Sequence, residues 1–312
     1  MVSTNDTAVA EFILLGLSSD SETQVILFFI VMVGYLIILN GNILIIILIL
    51  TDISLHTPMY FFLSNLSFLD LCFSTSIIPR MLRDLVSVKK TISYAECATQ
   101  LYMSLSLGQT ECILLSIMAY DRYIAICFPL HYTTIMSKII CVRIAAITWI
   151  CGFLFPISQV TFTLNVNLCG KNEINHFLCE VPEILSMACE NTIFIECITF
   201  AVGVIILMIP VTFIVVSYIK IISSILKIAS SAGRRKAFST CGSHMIVVTI
   251  FYGSATAAYM KPRSSSTPET DKVIAIFYVI VTPMLNPIIY TLRNNDIKSA
   301  FLWLTIKQSK TK

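Results

Sequence analysis

Seven stretches of this chain are long and apolar enough to cross a bilayer as helices. They run over residues 25–50, 58–81, 97–127, 139–164, 193–222, 237–260 and 272–292, each at or above the roughly 20 residues that a hydrocarbon core requires. In lipid every backbone amide must be satisfied within the protein, which leaves helices or a closed barrel. The short alternating segments of a barrel are missing from the sequence. The expected fold is all-α, a seven-transmembrane helix bundle. Residues 1–24 form an external tail, 25–292 the bundle, and 293–312 a cytoplasmic tail with a short amphipathic helix. Only 12% of the residues are charged, against about 25% in a water-soluble domain, so membrane lipid is a partner over much of the surface and no nucleic acid is expected.

Lysine and arginine set the expected orientation. Arg122, Lys138, Arg143, Lys220, Lys227, Arg234, Arg235, Lys236, Arg293, Lys298, Lys307, Lys310 and Lys312 fall on one set of loops, and the smaller group of Arg80, Arg83, Lys89, Lys90, Lys171, Lys261, Arg263 and Lys272 on the other. The richer set is cytoplasmic and the N-terminus outside. The first 24 residues carry Asp6, Glu11, Asp20 and Glu22 without a lysine or arginine. They lack the pattern of a cleaved signal peptide, so the first run is expected to act as the insertion signal. Asn5-Asp6-Thr7 is a glycosylation sequon on that tail. Asn65-Leu66-Ser67 matches too but lies inside the second run, where it should be silent.

The third run ends on Met118-Ala119-Tyr120-Asp121-Arg122-Tyr123-Ile124-Ala125-Ile126-Cys127. An Asp-Arg pair is costly at bilayer depth and is satisfied at the boundary, as a charged latch on the last turn or a cluster that merely stops the helix. Asp70 lies in mid-membrane, and its expected partner is Glu111 in the third run, with Asn42 and Asn286 as polar neighbours. Two carboxylates in one dry site share a proton or a cation, or belong to a structural hydrogen-bond network. Pro58 suits the first turn of the second helix. Pro210 interrupts the fifth, and Asn286-Pro287 with Tyr290 interrupts the seventh, giving both a place to bend.

Of eleven cysteines, Cys97, Cys169, Cys179 and Cys189 are placed outside, where disulfides persist, and the residues alone leave three pairings open. Residues 165–191 form a connection long enough to be a lid. There is no HExxH, no zinc spacing and no glycine-flanked serine nucleophile, so an enzyme is not expected.

The stretches 55–63, 118–127, Ser217-Tyr218, 236–244 and 283–290, in this order, together resemble the signatures of olfactory (odorant) receptors, a branch of the rhodopsin-like G-protein-coupled receptors. The resemblance runs nearly end to end and includes the three-cysteine loop. It implies that Cys97 pairs with Cys179 and Cys169 with Cys189. It implies that Asp121, Arg122 and Tyr123 form a latch that opens on activation, with Tyr218 and Tyr290 as its partners and Asn286-Pro287 as the seventh-helix hinge. Asp70 and Glu111 look like the sodium-site acids, sodium being the one ion expected and no other cofactor. The implied partners are a small volatile odorant and a heterotrimeric G protein of the stimulatory, olfactory type that raises cyclic AMP, at the plasma membrane. The expected ligand site takes Ser104, Leu105, Gly108, Gln109 and Cys112 from the third helix, at steps of three and four. Val202, Gly203 and Ile206 join from the fifth, and Tyr252, Ala255, Thr256 and Tyr259 from the sixth. Ser104 stands where aminergic receptors carry an aspartate, so a protonated amine would lack its counter-ion. The competing reading is a transporter of a small solute, which would show internal repeats or paired broken helices; none is evident.

Overall fold

A computed structural model describes residues 10–227, 230–260, 267–293 and 296–302. Among them, seven helical segments are long and apolar enough to cross a membrane. They are α1 (Ser21–Thr51), α2 (Pro58–Val86), α3 (Tyr94–Cys127), the pair α5 (Lys138–Leu154) and α6 (Pro156–Leu164), α8 (Ile193–Leu226), α9 (Ser231–Tyr259), and a seventh span made of α10 (Pro268–Ile276), a π turn (Phe277–Val281) and α11 (Thr282–Arg293). Short helices α4 (Tyr132–Ile135) and α7 (Val181–Met187) lie in the connections. Residues 296–302 are helical after the last span.

The helix starts follow local chemistry. Asp20 caps α1 by accepting from the Thr23 amide at 2.9 Å. Pro58 opens α2, where its missing N–H has no intrahelical acceptor to lose. Ser93 and Glu96 form a reciprocal capping box on α3. The fourth span carries a feature not anticipated from its run, a division at Pro156 into α5 and α6. By contrast α8 runs through Pro210 as one helix.

The most buried span is α3 and the least buried is α8. Val25, Phe29, Ile209 and Phe213 belong to a large set of apolar side chains exposed on the outer faces, which is the surface lipid covers. Two glycines set interhelical distances. A Cβ on Gly152 would meet Thr110 Oγ1 at 1.9 Å, and one on Gly41 would meet Pro287 Cγ at 2.8 Å, so α5 approaches α3, and α11 approaches α1, to backbone range. Asn42 donates both to Ile38 O on its own helix at 3.0 Å and to Pro283 O across the bundle at 3.3 Å. Asn65, the second sequon, sits within α2 and accepts from Trp149 Nε1 at 3.1 Å.

One end of the bundle is roofed. Strands β1 (Glu11–Leu14), β2 (Thr91–Ser93) and β3 (Glu173–Ile174) form a sheet in the order β2-β1-β3, antiparallel and then parallel. Phe12 on β1 is fully buried. Arg80 ties this end together: it pairs with Asp84 at 2.9 Å, approaches Glu96 at 3.5 Å and donates to Thr91 O. Disulfides join Cys97 to Cys179 and Cys169 to Cys189. At the opposite end the 296–302 helix buries Ile297 and Ala300 against the bundle, and Asp296 accepts from Tyr60 Oη at 3.0 Å. The sequon at Asn5 lies outside the described residues.

Candidate functional site

Below the roof, α3, α8 and α9 enclose a cavity of about 90 Å³. Ser104, Leu105, Gly108, Gln109 and Cys112 line it from α3, Val202, Gly203 and Ile206 from α8, and Ala255 and Tyr259 from α9. The surroundings are mostly apolar, with Phe73, Ile77, Leu207 and Phe251 completing the wall. The Ser104 hydroxyl is spent on Leu101 O at 3.0 Å. Gln109 is buried and its Oε1 has no partner.

Two residues expected in the lining stand outside it, Tyr252 and Thr256. The row that faces the cavity is Phe251, Ala255 and Tyr259, spaced by four, and a residue one position along a helix is turned by about 100°. The Tyr252 hydroxyl instead donates to Cys112 O at 2.7 Å, a direct tie between α9 and α3.

The roof supplies a group that residue spacing did not reveal. Glu180 follows Cys179 directly, and the disulfide to Cys97 together with a Cys179 N–H bond to Gln100 Oε1 at 3.0 Å holds this turn over the cavity. Glu180 lines the cavity and accepts a hydrogen bond from Tyr278 on the π turn. Burial pushes its carboxyl up to about 7; Tyr278 pulls the other way, and Glu183 and Asp271 add to the rise. Nearby His176 is buried, and burial pushes it down to about 4.

Deeper in the bundle, Asn286 Nδ2 donates to Asp70 Oδ2 at 2.9 Å. Asp70, Glu111, Asn42 and Asn286 are all buried, and Asp70 Oδ1, Glu111 Oε1, Ser74 Oγ and Ser106 Oγ have no partner. Unpartnered acceptor oxygens of this kind suit a hard monovalent cation or a shared proton.

At the other end Asp121 and Arg122 are buried on the last turns of α3. Tyr132 of α4 donates to Asp121 Oδ1 at 2.8 Å. Tyr123 packs on Phe128 and lies under Lys220 Nζ at 5.6 Å. Tyr218 Oη is 2.8 Å from His244 Nδ1 with the rings stacked, so it ties α8 to α9. Tyr290 is buried with its hydroxyl unpartnered. Reasoning from sequence named neither His244 nor Tyr132 as a partner, because each acts only through the helix opposite.

The sequence profile of the olfactory receptor family matches residues 29–307. The chain belongs to the olfactory receptor family. It is 50% identical to human olfactory receptor 2G3 over 296 residues, 95% of this chain and 96% of that one. It is 49% identical to mouse olfactory receptor 2C1 over 296 residues, 95% of each, and 47% identical to human olfactory receptor 2B2 over 303 residues, 97% of this chain and 85% of that one. This olfactory receptor is a multi-pass protein of the plasma membrane and a G-protein-coupled receptor rather than an enzyme, and the transporter reading is not favoured. Its general partners are odorants and a G protein.

Proposed function

We propose that this receptor binds small, mostly apolar volatile ligands in the cavity between α3, α8 and α9, and passes binding to a stimulatory, olfactory-type G protein that raises cyclic AMP. One observation carries the reading. The helix that lines the cavity through Ala255 and Tyr259 also holds Tyr218 through His244 at the far end, so a ligand that moves α9 changes both ends. The N-terminus and the disulfide roof face outward, with Asn5 glycosylated, and Arg122 faces the cytoplasm.

In this mechanism the ligand stabilises an arrangement with α9 swung outward, by its differential affinity for that state. Outward motion parts His244 from Tyr218 and frees the Tyr218 hydroxyl, with Tyr290, to meet Arg122. Asn286-Pro287 supplies the bend in α11. Asp70 and Glu111 hold a sodium ion or a shared proton that favours the closed packing, so Asp70→Asn removes any sodium dependence of ligand potency. The deciding experiment is cyclic AMP in cells co-expressing the receptor and the G protein, challenged with a broad panel of volatiles, with Arg122→Ala alongside. A ligand-dependent rise lost in the variant at equal surface staining is expected. A variant that signals normally overturns the latch assignment, and silence of well-expressed wild type across the panel overturns the odorant reading.

A further inference from the structure

Above the cavity lies a vestibule of about 400 Å³ on the outer face. Glu180, Thr199, Tyr259 and Tyr278 line both spaces and therefore form the partition between them. Among the described residues, the vestibule is lined by four carboxylates, Glu180, Glu183, Glu196 and Asp271, and by no lysine or arginine. Beneath the partition, Gln109 is more than nine-tenths buried, and its Oε1 has no donor. The unmet acceptor inside the cavity is therefore Gln109 Oε1.

We propose that the preferred odorants of this receptor are small protonated primary amines with an apolar body, their ammonium group paired with Glu180 beside the Tyr259 and Tyr278 rings. This deepens the odorant reading and rests on it. A carboxylate with aromatic faces beside it is a site for a compact ammonium ion, through charge pairing and cation–π attraction together. The Tyr278 hydroxyl already holds Glu180 in place, so little order is lost on binding. The apolar wall takes the hydrocarbon body. The ligand's remaining N–H groups suit the unpartnered Gln109 Oε1. The counter-ion that Ser104 does not supply comes from the loop instead. Among the described residues, Tyr259 and Tyr278, Glu183 on the same loop and Asp271 on α10 are the titratable groups around Glu180.

The test compares matched pairs, hexylamine with 1-hexanol and cyclohexylmethylamine with cyclohexylmethanol. Cyclic AMP dose–response is read in cells expressing wild type or Glu180→Gln with the olfactory-type G protein, after subtraction of untransfected cells. Each amine is expected to be about tenfold or more as potent as its alcohol on wild type. Glu180→Gln should raise the EC50 of each amine about tenfold more than it raises that of the matching alcohol, the scale of a lost buried charge partner. Amines no more potent than alcohols on wild type overturn the inference, as does a Glu180→Gln shift that is equal for both members of a pair. The wild-type ratio decides even where the variant fails to reach the surface. A receptor that answers neutral volatiles from the broad panel and ignores both amines refutes the amine site alone. Silence across the whole panel removes the odorant reading and this inference together.

Discussion

His244 and Tyr218 show how one buried contact can set resting output. A buried hydrogen bond contributes about 1 kcal/mol, equivalent to about fivefold in an equilibrium. His244→Phe keeps the stacked ring and removes the bond to Tyr218, so basal cyclic AMP should rise several-fold at equal surface staining; an unchanged baseline would show that this tie does not restrain α9. His176 gives a pH signature of a different kind. Its folded pKa is depressed to about 4 from 6.5, so between these values the unfolded state binds more protons and stability falls as pH drops. Glu180, raised to about 7 from 4.5, works in the opposite sense, since its folded form binds the extra proton and stability falls as pH rises through that window. Purified wild-type receptor should therefore lose melting temperature on acidification from pH 6.5 to 4.5 more steeply than His176→Asn, and equal slopes would remove His176 from the account.

At the scale of elements, the approach of α5 to α3 depends on Gly152. Its missing Cβ would lie 1.9 Å from Thr110 Oγ1 and 3.0 Å from Thr110 Cα, and the backbone atom cannot rotate away. Gly152→Ala should lower the melting temperature by several degrees, on the scale of about 1–3 kcal/mol for overpacking. Gly253→Ala meets nothing within 4 Å and serves as the tolerated control. The spans themselves were legible because a 20-residue apolar run has few alternatives in lipid, and Pro58 announced the start of α2. Where periodicity allowed two adjacent rows, as on α9, the reading included Tyr252 and Thr256 and left out Phe251. The division at Pro156 was overlooked although the residue that causes it is plain in the sequence. Glu180 could not be found by spacing at all, since its place over the cavity comes from a disulfide to a residue 82 positions from Cys179. The sheet was equally hidden: strands of two to four residues carry no usable alternation, and their pairing is decided by the elements that bring them together.

For the whole molecule, the roof joins segments that the chain keeps far apart. Phe12 is fully buried although it belongs to the tail before the first span. Truncation of a buried phenylalanine costs about 3–5 kcal/mol, so Phe12→Ala should sharply reduce surface staining and ligand response together, and normal delivery of the variant would mean the roof is dispensable. The same sheet sets an order of events during synthesis. Glu11 emerges early and pairs with β2 once Ser93 is made, while the other neighbour strand, β3, begins only at Glu173. At about 5–20 residues per second the sheet stays incomplete for roughly 8–30 seconds, and no roof can close before the fourth span has been threaded. The nascent receptor thus spends that interval with its roof unfinished, a built-in delay during which a chaperone can tell an unfinished chain from a finished one.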